Sequence, residues 1–122
     1  MNHIKYNNLN MKIIKFNNIN YIIGTNSREN WKILEDADED DIWIHLHQYS
    51  SPYVILQTYK KIENADLLYG GFICKQHSKY KNVNNVNMIF SLVKYVKKGK
   101  FSGEAVMLKS PDILRIPTFN KD

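Results

Sequence analysis

The chain is poor in the features that would announce its class. Cys74 is the single cysteine in 122 residues, which excludes an internal disulfide and suits a reducing compartment. Three prolines and five glycines exclude a collagen-like or Pro/Gly-rich low-complexity chain. No apolar run approaches the roughly 20 residues that a membrane-spanning helix needs. The first residues lack the apolar segment of a signal peptide. A cytoplasmic or nuclear protein that does not enter a membrane is therefore expected. There is no P-loop, GxSxG, HExxH or paired CxxC motif, so neither a cofactor nor an enzymatic activity is expected.

What is present is enough for one domain with a core of its own. The apolar share is 43%, ordinary for a globular chain. Asn, Lys and Ile are abundant, whereas arginine occurs only at Arg28 and Arg115. A pI near 9.2 says less than the distribution of charge. Residues 28–41 carry two basic and seven acidic groups, residues 60–81 five basic and two acidic, and residues 94–109 five lysines and one glutamate. A polyanion could follow the last two segments and would avoid the first.

Residues 1–10 read as a flexible arm or a weak first strand, and residues 11–122 as the domain. The segments MKIIKF and NYIIGT read as two strands joined by a turn over Asn17–Asn20. NSRENWKILEDA reads as a helix, with Asn26 as N-cap, Glu29 completing a capping box, and Trp31 and Leu34 facing the core. DIWIHLH and YVILQTY form a hairpin. IENADLLYGGFICKQHS reads as a second helix with a stripe of Ile62, Ala65, Tyr69 and Phe72. Gly70-Gly71 in its middle is either a close contact with the sheet or a break, since each glycine costs about 1 kcal/mol relative to alanine. VNMIFS, VKYVKK, GEAVMLK and ILRIPT read as four short strands. The expected fold is a single α+β domain: a largely antiparallel sheet with two helices.

DIWIHLH is the segment that carries chemistry. Its alternation puts Ile42, Ile44 and Leu46 on one face and Asp41, Trp43, His45 and His47 on the other. A metal site could draw on Asp41, His45, His47 and His77, but the spacing is unspecific. Ser50 or Ser51 with a histidine could be catalytic only if the fold brought them together. Trp43 is a core residue if helices cover both faces of the sheet, and a stacking platform for a base if one face is open. Each lysine alone is solubilising charge. Together, beside Tyr80 and Tyr95, those at 79, 81, 94, 97, 98 and 100 fit a surface that tracks phosphates.

These residues also resemble a known family. Gly24-Thr25-Asn26-Ser27-Arg28-Glu29-Asn30 resembles the G-x-[ND]-x-x-[EQ]-N segment of the NFACT-R domain, and Asp41-Ile42-Trp43-Ile44-His45 its D-[IL]-W-[FL]-H signature. Ser50-Ser51-Pro52-Tyr53-Val54-Ile55-Leu56 is similar to its next strand. His77-Ser78-Lys79-Tyr80-Lys81 is similar to its x-S-K-x-K segment. Asn87-Met88-Ile89-Phe90 and Val96-Lys97-Lys98 are similar to two later strands. Order and spacing agree from about residue 20 to residue 117. The chain departs at Thr25, where the family often has a basic residue, at Tyr53, where it has a histidine, and at Ser50-Ser51-Pro52, where it has P-G-S.

The resemblance implies an RNA-binding module of the kind found in ribosome quality control proteins, which bind the large ribosomal subunit with a tRNA. It implies a standalone member cut to the bare domain, without the chain-extension chemistry of the larger proteins. The expected ligand is tRNA or ribosomal RNA, and ribosomal or quality-control proteins are possible partners. The expected nucleic-acid-binding residues are Arg28, Asn30, Asp41, Trp43, His45, Ser78, Lys79, Lys81, Lys97 and Lys98. Asp41 would orient His45, Trp43 would stack on a base or brace the site from below, and the lysines would contact phosphates. The rival expectations are a protein-docking adaptor, and a small hydrolase or metal enzyme built on Asp41, His45 and His77.

Overall fold

The computed structural model describes residues 12–58 and 60–117. The arm expected over residues 1–10 lies outside the described residues. β1 (Lys12–Phe16) and β2 (Ile19–Ile23) form a hairpin in which Phe16 pairs with Ile19. Only two residues close it. Asn17 and Asn18 have φ of 54° and 63°, the left-handed pair that matches strand twist and that asparagine tolerates. The turn is thus tighter than the four residues expected.

β3 (Ile42–Leu46), β4 (Val54–Thr58), β5 (Asn87–Leu92) and β8 (Asp112–Arg115) complete a six-stranded sheet of order β1-β2-β4-β3-β5-β8. All its pairings are antiparallel. β6 (Val96–Lys98) and β7 (Ala105–Met107) form a separate antiparallel ribbon. The α+β expectation holds: two α-helices accompany a largely antiparallel set of strands in a single domain.

The strand order dictates where the helices go. β2 and β3 flank β4, so the chain between them crosses the sheet; α1 (Ser27–Asp36) makes that crossing. β4 and β5 flank β3, and α2 (Asn64–Gln76) makes the second crossing. Residue alternation shows that they take opposite faces. On one side Tyr21, Ile44, Leu46 and Leu56 pack with Leu67 and Cys74 of α2. On the other, Ile22, Trp43, Tyr53 and Ile55 pack with Ile33 and Leu34 of α1 and with Val96 of the ribbon. The sheet is therefore covered on both faces.

Local chemistry sets the helix ends and corrects their rotation. Asn26 Oδ1 accepts the Glu29 N–H at 2.9 Å, as expected of an N-cap. The Glu29 carboxylate reaches back one residue further than a capping box, to the Thr25 N–H and hydroxyl. Ile33 and Leu34 enter the core, and Trp31, half-buried, packs at its edge and donates its indole N–H to Glu104 O beside the ribbon at 3.0 Å. α2 runs unbroken through Gly70-Gly71. A Cβ at Gly70 would lie 2.5 Å from Ile44 Cδ1, and one at Gly71 would lie 2.3 Å from Met88 Sδ. The close-contact reading of the glycines is correct. The buried stripe is Leu67, Gly70, Gly71 and Cys74, not Ala65, Tyr69 and Phe72, because only glycine lets the helix axis approach the sheet this closely. Residues 93–95 form a 3₁₀ turn where a strand was expected, and β6 begins at Val96.

Candidate functional site

Covering both faces of the sheet moves any accessible site to its ends. Of the two alternatives for Trp43, the covered face is the one realised: its side of the sheet lies beneath α1 and the ribbon, and Trp43 is only 1% exposed. Trp43 cannot present a ring face to a base. It braces the site instead: its indole stacks on the His45 imidazole (5.7 Å between centroids, 6° between planes). Its N–H is buried with no hydrogen-bond partner among the described residues.

Four segments converge on a cleft of about 740 Å³ at the His45 end of β3. They are the start of α1 with Asn26, Ser27 and Asn30, the β3–β4 loop, the end of α2 with His77, Ser78 and Lys79, and the tip of the β6–β7 hairpin. The size lies within the range of roughly 300–1,000 Å³ common for ligand sites. Loops carried by a rigid scaffold are the usual place for binding groups.

His45 is the histidine at the bottom of this cleft, half-buried beside the Trp43 and Tyr53 rings. Its Nδ1 lies 2.6 Å from Leu46 O. A carbonyl only accepts, so the neutral ring carries its proton on Nδ1 and keeps a lone pair on Nε2. Burial holds the imidazole below the ordinary histidine value, opposed by that backbone hydrogen bond. The expected role of Asp41 is corrected. Four extended residues span about 13 Å, out of hydrogen-bond reach of His45. The buried Asp41 carboxylate accepts the Asp38 N–H at 3.0 Å and shapes the entry to β3.

Tyr53 was not expected in the site. Its ring meets Trp43 and His45 edge-on, at 5.5 and 5.7 Å. Its hydroxyl donates to Gly103 O at the hairpin tip. Burial, and secondarily the charge of Glu104, pushes its phenol up to about 12. Tyr53 thus ties β4 to a hairpin fifty positions away, a link with no local sequence signal. Gly103 has φ of +82°, and a Cβ there would lie 2.6 Å from Ser27 Cβ, so hairpin and helix meet backbone to backbone.

The remaining expected residues divide. Asn30, Trp43, His45, Ser78 and Lys79 line the cleft. Asn30 is buried and spends its side-chain oxygen on the Tyr53 N–H at 2.9 Å. Ser78 closes the end of α2, donating to Lys75 O and accepting the Tyr80 N–H. Both hold the cleft's walls. Lys79 is exposed, with its ammonium 6.0 Å from the Tyr80 ring centre, and Tyr80 packs on Tyr49. Arg28, Lys81 and Lys97 are exposed outside the cleft lining. Lys98 is corrected: it pairs with Glu35 and lies over the Trp31 ring at 5.2 Å, so it clamps the ribbon to α1.

The arrangement offers little to the hydrolase and metal expectations. Ser51 Oγ accepts the Leu46 N–H and touches Pro52 O and Cys74 Sγ, which folds the loop. Cys74 is buried, with its thiol pushed up to about 12 by burial. Among the described residues no three His, Cys, Asp or Glu side chains converge.

Comparison with known proteins bears on the fold. No protein-family profile matches the chain, and no curated protein matches it. The C-terminal part of the fibronectin/fibrinogen-binding protein from Streptococcus suis has a similar structure, with a TM-score of 0.74 at 17% identity. The match covers 80% of this chain and 40% of that one. At that identity the likeness establishes the fold. No helix among the described residues is long and apolar enough to cross a membrane.

Proposed function

We propose that the chain is a non-enzymatic RNA-binding module of the NFACT-R type, acting in the cytoplasm on tRNA or ribosomal RNA in connection with translation. The observation that carries this is the cleft itself. Lys79 and His77 open onto it from the end of α2, and Ser27 and Asn26 from the start of α1. Arg28 and Lys81 stand exposed within two residues of its lining. Trp43 and Tyr53 fix His45 at the bottom, where Nε2 can accept a hydrogen bond from a base or a ribose hydroxyl. Those groups match the way single-stranded or looped RNA is read, by edges and 2′-hydroxyls more than by duplex grooves. The motif resemblance from residue 20 to residue 117 supports the same reading.

The test is fluorescence anisotropy with labelled tRNA and a labelled single-stranded RNA, from 50 to 200 mM salt. Four phosphate contacts, to Arg28, Lys79, Lys81 and Lys97, give a slope of log K against log salt near −3, at about −0.7 per phosphate on a single strand. Affinity then falls about 50-fold over that range. Absence of binding at 50 mM, or binding indifferent to salt, refutes the proposal.

A protein-docking adaptor is the second reading. Its support is the sheet edges: β1 and β8 each pair on one side only among the described residues, and Ile13, Phe16 and Ile113 are exposed there. An added strand could use such an edge. Recovery of a ribosomal or quality-control protein that survives nuclease treatment, and is lost on Ile113→Lys, would favour it.

A further inference from the structure

Beyond the cleft, the β6–β7 ribbon has an unexplained outer face. The alternation of its strands is unambiguous. Val96 and Lys98 turn inward, Val96 into the core and Lys98 onto α1. Lys97 pairs with Val106 on the opposite side. The Leu108 N–H donates to Tyr95 O at 2.8 Å, which extends that outer face by one more pair. On this face Leu108 is 55% exposed and Val106 45%, and Phe101, in the loop that joins the strands, is 66% exposed. So much apolar surface on a two-stranded ribbon calls for a partner.

The charges around it indicate the partner's chemistry. The ammonium groups of Lys94 and Lys109 lie 5.6 and 5.1 Å from the Tyr95 ring centre. That of Lys100 lies 5.7 Å from the Phe101 ring centre. Glu104 is the only carboxylate between residues 94 and 109. Its Oε1 accepts the Lys100 and Phe101 N–H groups, so it folds the hairpin. Lys94 has a loose pairing with the well-exposed Asp40 at 3.6 Å. Lys97, Lys100 and Lys109 form no salt bridge among the described residues. The strands of the ribbon carry lysines and no carboxylate, and cations lie beside the Tyr95 and Phe101 rings.

We infer that this outer face is a second nucleic-acid contact, along which a single strand runs with phosphates on Lys97, Lys100 and Lys109 and a base stacked on Phe101. The inference rests on the RNA-binding reading and extends its footprint from the cleft to the ribbon. Interleaved lysines and rings are the arrangement that tracks a single strand without reading its sequence. A partner that carries both phosphates and flat bases can use the lysines and the exposed ring together, which argues for a nucleic acid over an acidic protein.

The experiment uses the full chain, a labelled 12-nucleotide single-stranded RNA and anisotropy over a salt series. The ribbon variants are Phe101→Ala and the double Lys97→Ala/Lys109→Ala; the cleft variant is Lys79→Ala. All four positions are exposed, and unchanged thermal midpoints verify folding, with Lys97→Glu as a second ribbon variant. Phe101→Ala should weaken binding roughly 5- to 150-fold at every salt concentration with the slope unchanged. With Lys100 and Lys109 added to the four contacts above, the parent slope steepens to about −4, and the double variant should flatten it by about 1.4. If the parent chain binds no RNA, both the function and this inference fail. If Lys79→Ala impairs binding and the ribbon variants do not, the ribbon inference alone fails. If poly-glutamate of similar length competes as well as unlabelled RNA, the face is an acidic-protein surface and the assignment to nucleic acid is overturned.

Discussion

Replacing Trp43 separates a brace from a ligand platform. Trp43 is 1% exposed, stacked on His45 and edge-on to Tyr53. Truncation to alanine removes the largest fully buried side chain, and such changes cost about 3–5 kcal/mol. That is a large part of the 5–15 kcal/mol typical of a whole domain. Trp43→Phe should behave differently. It leaves a smaller void, costing roughly 1–2 kcal/mol. It also removes an indole N–H buried without a partner among the described residues, and such an unsatisfied donor costs about 1–3 kcal/mol. The two terms oppose, so Trp43→Phe should lie within about 1 kcal/mol of the parent. Urea unfolding followed by far-ultraviolet circular dichroism measures both. With a slope of 1–3 kcal/mol/M, Trp43→Ala should lower the midpoint by about 2 M. Trp43→Phe should barely move it and should retain RNA affinity. A Trp43→Ala protein that unfolds at the parent's midpoint but no longer binds RNA would refute this: the indole would then be a contact surface and the packing around it wrong.

Three further outcomes follow from the same packing. Gly70→Ala should fail to give the roughly 1 kcal/mol that helix propensity promises, because its Cβ would lie 2.5 Å from Ile44 Cδ1; overpacking of about 1–3 kcal/mol makes it neutral or destabilising in the same urea assay. Asn30→Ala leaves the buried Tyr53 N–H without its acceptor and should cost about 1–3 kcal/mol, whereas Lys79→Ala should leave stability unchanged and lower only RNA affinity. His45 is held neutral by burial, so the unfolded chain takes up a proton more readily below the ordinary value of 6.5. Stability is then intact above that value and falls as pH drops through it. The thermal midpoint should decline between pH 7 and pH 5, and His45→Gln should shrink that decline.

The sequence made the elements legible and the coverage of the sheet illegible. Periodicity two in Ile42, Ile44 and Leu46 and the Asn26 cap act within a few residues, and each has its counterpart in the structure; the paired glycines of α2 announced a close approach or a break, and only their contacts with Ile44 and Met88 decide which. Trp43 obeyed the same alternation, but what lies above it depends on α1 and on a ribbon fifty residues downstream. Strand period states which residues share a face; it does not state whether a second layer covers that face. Trp31 was legible in part: helical period put it with Leu34, and it does pack at the edge of the same core, but nothing local announced that its indole N–H reaches Glu104 O, 73 positions away. Lys98 looked like its neighbour Lys97 until the ribbon's alternation turned one inward to Glu35 and the other outward.

Once both faces of the sheet are buried, binding groups must come from its ends and from the ribbon, and the residues with matching chemistry are found there. Asp41 and Asn30 would cost stability if a ligand drew them away from their backbone partners, because each buried donor left behind is unpaired. On the proposed function, Lys79, Lys97 and Phe101 would give up water and at most a loose cation–ring contact on meeting a strand of RNA. Binding free energy is best drawn from such groups, whose engagement leaves the fold intact. The charged and aromatic groups at the rim should therefore govern affinity and salt dependence. His45, Trp43, Tyr53 and Asn30 should govern whether the rim is held in place at all. Variants at the first set should change binding at constant stability, and truncations to alanine at the second should lose both together.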